Sequence, residues 1–310
     1  MPQVISDLRM WLRLLRPHQW LKNGFVMVGL LFGHAWSDPD KLIAALFAFA
    51  AFCLLASGVY VMNDLIDCEQ DRHHPAKRHR PLASGAIGVQ TALLLMVVCF
   101  AVGFALVFAG GSHASWVFFA YVALNVAYSF GAKHIVILDV FIIAAGFMLR
   151  ILAGTLGLGI EPSQWLLLCG LMLTLFLGFA KRRAELDAIA GDDKGIDKIV
   201  RQHSLYPLAA SHRRVLEHYS TALLDQFITV ATAGTLVSYS LYTVSPETLA
   251  LHGTTNLIYT VPFVLYGMFR YLFLLHRRGG GGDPAQELMR DPHLLVAVAG
   301  WLLLVLLLLR

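Results

Sequence analysis

Charge is scarce in this chain: only 14% of its 310 residues are Asp, Glu, Lys or Arg, against about a quarter in soluble proteins. No long stretch has the mixed composition of a soluble domain, so a large water-soluble catalytic module is excluded. Four cysteines are too few for a disulfide framework. Cys53, Cys99 and Cys169 fall in apolar runs and Cys68 in a polar one, so no disulfide is expected. Asp7, Arg9, Arg13 and Arg16 break up the opening residues, which predict no cleavable signal peptide. What fills the chain is apolar, at 57% hydrophobic residues. That composition predicts an all-α, polytopic membrane protein.

Runs of about twenty apolar residues mark candidate membrane spans. Nine are expected, at about 20–36, 41–62, 88–110, 114–131, 135–157, 164–180, 219–243, 255–275 and 293–309. Together they predict a single integral-membrane domain over 1–310, with polar loops at about 63–87, 181–218 and 276–292. All but four of the 24 Lys and Arg residues then fall on one face; Lys41, Arg150, Arg270 and Arg310 are the exceptions. Positive loops stay inside. The expectation is a multi-pass protein of the cell (inner) membrane, its N-terminus and polar loops cytoplasmic and its C-terminus on the opposite side. Met10, Trp11, Leu12, Leu14 and Leu15 among the first arginines predict an amphipathic helix on the inner surface. Gly279 to Gly282 reads as a flexible linker.

The most informative stretch is Asn63-Asp64-Leu65-Ile66-Asp67-Cys68-Glu69-Gln70-Asp71, followed at once by the basic run Arg72 to Arg80. On a helix, Asn63, Asp64, Asp67 and Asp71 share one face over about two turns. Carboxylates so placed repel each other, and a bound Mg²⁺ relieves the repulsion. Magnesium takes oxygen ligands and is typically completed by substrate phosphates. The motif therefore predicts a phosphorylated substrate, with Asp64, Asp67 and Asp71 as metal ligands. Lys77, Arg78 and Arg80 suit phosphate oxygens. Lys22 and Asn23 open the first span, Tyr128 and Lys133 close the fourth, and Lys181-Arg182-Arg183-Ala184-Glu185-Leu186 opens the second large loop. Each brings polar groups to the same rim. Arg150 lies inside the fifth span and needs a partner there; Asp139 and Asp225 are candidates.

These residues resemble the UbiA superfamily of intramembrane prenyltransferases. The matching elements are Asn63-x-x-x-Asp67-x-x-x-Asp71, the nine-span plan, and Tyr128 with Lys133 after span four. The resemblance implies a UbiA-like helical bundle with a cytoplasmic cap, in which aspartates hold Mg²⁺ and a diphosphate. Where prenyl-diphosphate users carry a second Asp-x-x-x-Asp, this chain has Lys181-Arg182-Arg183-Ala184-Glu185-Leu186. That departure, with Arg16-Pro17-x-Gln19-Trp20-x-Lys22-Asn23, is similar to the branch acting as decaprenyl-phosphate phosphoribosyltransferases. The branch implies transfer of a 5-phosphoribosyl group from phosphoribosyl diphosphate to a polyprenyl phosphate in the bilayer. On this resemblance Asn63, Asp67 and Asp71 are catalytic. Lys22, Asn23, Lys77, Arg78, Arg80, Tyr128, Lys133, Lys181, Arg182 and Glu185 bind substrate. No nucleic acid is expected as a partner, and a homo-oligomer stays open. The alternative is prenyl transfer from a polyprenyl diphosphate to an aromatic acceptor.

Overall fold

Prolines preceded by capping residues set the helix starts. Asp38 accepts hydrogen bonds from the backbone N–H groups of Asp40 and Lys41, with Pro39 in the first turn. Asp291 repeats the device before Pro292. An N-cap acceptor satisfies donors the helix cannot, and proline fits the first turn because its missing N–H costs nothing there.

The computed structural model describes residues 10–73, 77–194, 214–278 and 290–309, side chains excepted over 188–194 and at 214. The residues described are helical, with no strand among them. After a helical segment over 10–15 and a 3-10 helix at Pro17–Met27 come α1 (Val28–Phe32), α2 (Pro39–Ile66) and α3 (Cys68–His73). Then follow α4 (Val89–Ala109), α5 (Trp116–Phe130), α6 (Leu138–Gly154) and α7 (Gln164–Lys194). The chain continues through α8 (Thr221–Val244), α9 (Pro246–His252), α10 (Val261–Arg278) and α11 (Pro292–Leu308). Among the described residues, six helical segments are long and apolar enough to cross a membrane, and α5 and α11 are shorter apolar helices. The Gly279–Gly282 linker, Arg9, His74 and much of the 181–218 loop lie outside the described residues.

The first expected span, at about 20–36, is not one α-helix. Its residues fall in the 3-10 helix and the short α1. Lys22 and Asn23 put polar groups in this stretch, and Asn23 is fully buried and hydrogen-bonded. Close backbone contact fixes its path. A Cβ on Gly29 would sit 1.6 Å from the Gly154 carbonyl oxygen, so only glycine fits, as at tight helix contacts in membranes.

The chain divides into two compact units. The first contains residues up to Ala132 and Leu149–Pro162; the second contains Lys133–Met148 and residues from Ser163 onward. The core of the first packs Phe52, Leu55, Val59, Phe118 and Tyr121. That of the second packs Phe176, Phe179, Leu224, Ile228 and Leu275. Leu93, Leu94 and Val97 on α4 are exposed, as suits a helix face in lipid.

Candidate active site

The acidic motif sits where α2 ends. Asp67 closes α2, and α3 starts at Cys68. Backbone bonds still run Asp67 N–H to the Asn63 carbonyl (2.9 Å) and Asp71 N–H to the Asp67 carbonyl (2.8 Å). The four-residue spacing of Asn63, Asp67 and Asp71 is thus kept across the junction. Asn63 Oδ1 accepts from the Ser129 hydroxyl, which also donates to the Asn125 carbonyl (2.8 Å). Ser129 lies beside Tyr128 at the end of α5.

Basic side chains fold back onto the acids. Arg80 Nη1 donates to Asp64 Oδ1 (3.0 Å) and Asp71 Oδ2 (2.6 Å). Lys77 Nζ lies 3.9 Å from Asp71 Oδ1. Arg16 Nη2 donates to Asp64 Oδ1 at 2.6 Å, and its guanidinium stacks over Tyr60. Asp64 and Asp71 are buried, while Arg16 and Arg80 keep 23% and 30% of their side chains exposed. Repulsion among the carboxylates is therefore answered by the chain's own cations. Arg78 is directed elsewhere, its Nε donating to His79 Nε2 (3.3 Å). Arg16, 48 residues from Asp64, joins the acidic cluster although it was not among the expected site residues. Its signal was the Arg16-Pro17 pair, which reads equally as a topological charge.

Lys22 Nζ reaches Gln19 Oε1 at 2.5 Å. Asn23 faces inward, accepting from Arg150 Nε (2.8 Å) and donating to Cys53 Sγ (3.3 Å). Arg150 also donates to the Tyr121 hydroxyl (3.1 Å) and lies over the rings of Phe52 and Tyr121. Hydrogen bonds and two π faces offset the cost of a guanidinium at membrane depth. The two carboxylates expected as its partners are engaged within the second unit: Asp139 with Arg182 and Asp225 with Arg183.

The second unit holds Lys133, Lys181, Arg182 and Glu185. Arg182 is fully buried; its Nε donates to Asp139 Oδ2 (2.6 Å) and its Nη1 to Glu185 Oε2 (2.5 Å). The Tyr219 hydroxyl donates to Asp139 Oδ1 (2.9 Å) and accepts from the Ile137 N–H (2.7 Å). Burial pushes the Tyr219 phenol up, and the Asp139 carboxylate adds to the rise. Lys133 and Lys181 are both partly exposed.

The donor set suits magnesium. Asp64 and Asp71 converge on one nitrogen, so a cation in place of Arg80 Nη1 would face oxygens from both. Two carboxylates with substrate phosphates are a usual magnesium environment. Among the described residues no three His, Cys, Asp or Glu side chains gather as a metal cluster.

A model of the UbiA prenyltransferase family matches residues 24–289. The chain belongs to the UbiA prenyltransferase family. It is accordingly a transferase and an integral membrane protein. A decaprenyl-phosphate phosphoribosyltransferase of Corynebacterium glutamicum is 32% identical over 298 residues, spanning 94% of this chain and 83% of that one. Its counterpart in Mycolicibacterium smegmatis is 29% identical over 304 residues, spanning 94% and 89%. Among solved structures, a UbiA homologue from Archaeoglobus fulgidus bound to GPP and Mg²⁺ shares the fold. Its TM-score is 0.67 at 17% identity, covering 97% of this chain and 96% of that one.

Proposed function

We propose that this UbiA protein transfers a 5-phosphoribosyl group from phosphoribosyl diphosphate to a polyprenyl phosphate, with Mg²⁺, and releases diphosphate. The observation that carries the reading is the convergence of Asp64 and Asp71 within a ring of cations, in a chain whose full-length relatives bear that activity's name. Phosphoribosyl diphosphate carries phosphates at both ends of a ribose. A carboxylate pair suits its metal-bound diphosphate, and surplus arginines suit its remaining charge.

In this reading Asp64 and Asp71, with Asp67 added on the motif alone, would hold the magnesium, which when bound would withdraw charge from the diphosphate. Lys77 and Arg80, which lie on the acids, oppose the charge that gathers on the departing diphosphate, and Arg78 joins them on the motif alone. Asn63, steadied by Ser129, orients a neighbouring carboxylate or a ribose hydroxyl. The ribose C1–oxygen bond breaks and its electron pair leaves with the diphosphate. A lipid phosphate oxygen forms the new bond to C1 from the opposite face. That oxygen is already anionic, so no general base is needed. On the motif alone we assign Lys22, Tyr128, Lys133 and Lys181 to holding substrate; Asn23, expected there too, is fully buried and instead holds Arg150. Arg182, fully buried, acts by orienting Glu185. The reading takes the chain as one membrane domain of nine spans, with a cytoplasmic cap and N-terminus in the inner membrane.

The test is product formation by purified protein in two mixtures. The first pairs phosphoribosyl diphosphate with decaprenyl phosphate; the second pairs a polyprenyl diphosphate with 4-hydroxybenzoate. Mg²⁺-dependent diphosphate release and a phosphoribosylated lipid in the first mixture alone are expected. Product in the second alone rejects the reading.

A further inference from the structure

Beside Asp64 opens a cavity of about 760 Å³, the size of a small-molecule site, lined by Arg13, Arg16, His18, Asp64, His79 and Arg80. Three guanidiniums and two imidazoles face one carboxylate, so the cleft is strongly anion-seeking. The backbone is bent to build it. Arg16 has φ 52 and ψ 56, in the left-handed region, and it precedes Pro17, which disfavours helical conformations there. A non-glycine residue in that region is strained and persists only where its surroundings hold it. The distortion ends the 10–15 helical segment and places the Arg16 guanidinium on Asp64.

Asp64 anchors Arg16 through one Nη and Arg80 through another. An arginine has five N–H donors, so Arg16 presents further donors to the cleft while Asp64 holds it. Arg13 lies one turn before Arg16, is exposed, and enters no ion pair among the described residues. It is the cation most available to an incoming ligand.

We propose that this cleft is a phosphomonoester-binding subsite, gripped by Arg13 and Arg16. The assignment rests on the phosphoribosyl-transfer reading, in which two phosphomonoesters occur: the 5-phosphate of the soluble donor and the headgroup of the lipid. A fixed guanidinium fork matches phosphate oxygens bidentately, and pre-anchoring lowers the entropy lost on binding.

The experiment is calorimetric binding to full-length protein in detergent, with ribose 5-phosphate and farnesyl phosphate as separate probes. Wild type is compared with Arg13→Gln, Arg13→Lys and the double variant Arg13→Gln/His79→Gln. Arg13 is exposed, so its replacement leaves the fold intact. Expected is a roughly tenfold weaker Kd for ribose 5-phosphate in Arg13→Gln, about 1.4 kcal/mol, with recovery in Arg13→Lys. A loss confined to farnesyl phosphate supports the subsite and assigns it to the lipid headgroup. Unchanged binding of both probes in the double variant overturns it. No turnover is needed. A protein that transfers phosphoribose but shows unchanged binding loses the subsite and keeps the reaction. One that binds through Arg13 but transfers nothing keeps the subsite and loses the reaction.

Discussion

In the first unit Asp64 and Asp71 meet Arg16 and Arg80; in the second, Arg182 meets Asp139 and Glu185. Both clusters sit beside a left-handed, non-glycine residue: Arg16 at φ 52 and Ile137 at φ 68. The parts are alike, but the surroundings differ. Arg16 and Arg80 are about a quarter exposed and border an open cleft, whereas Arg182 and Asp139 are wholly enclosed. A partly solvated pair can exchange one partner for an incoming phosphate or cation at modest cost. An enclosed pair cannot, because removing one charge leaves the other buried and uncompensated. The first cluster is thus suited to binding, and the second to holding its unit in shape.

Changes in the enclosed cluster should act on folding. Asp139→Ala is expected to destabilise the protein by about 3–5 kcal/mol, read as a fall in the thermal midpoint of detergent-purified protein. A midpoint within error of wild type would erase the contrast. In the acidic motif beside the open cluster, Asp67→Asn should lower turnover about 100- to 1000-fold while the midpoint holds. Near-normal turnover by the folded variant would detach the motif from the chemistry.

Tyr219→Phe sharpens the contrast from the enclosed side. It removes a donor to Asp139 and an acceptor for the Ile137 N–H, and should cost about 1–3 kcal/mol with little change in KM for the donor. The smallest effect belongs to the cap of α11. Arg270 holds the Asp291 carboxyl down to about 2, from an ordinary 3.8. A depressed carboxylate contributes stability above pH 3.8, and loses it as the pH falls toward about 2. Acid titration of stability should therefore show a limb between about pH 4 and 2. Asp291→Asn should flatten that limb.

Much of this was legible in the residues. Apolar runs marked eight of the helices because bilayer-length hydrophobicity is a local property. The Asn63–Asp71 spacing survived because helical backbone bonds carry through Asp67. The broken segment at 20–36 was not legible: its course depends on Gly29 meeting Gly154, 125 positions away. Ion-pair partners were equally hidden. Asp64 takes Arg16 across 48 positions and Asp139 takes Arg182 across 43, and no spacing rule encodes such pairings. The left-handed turn at Arg16 is a tertiary effect, since a residue before proline by itself favours extended backbone.

The most direct measurement is diphosphate release from phosphoribosyl diphosphate, in the presence and absence of decaprenyl phosphate, by wild type and Asp71→Asn. The predicted result is release that requires both the lipid and Mg²⁺ and that collapses in the variant. Release unaffected by Asp71→Asn, or none from wild type with both substrates and Mg²⁺ supplied, would contradict the account.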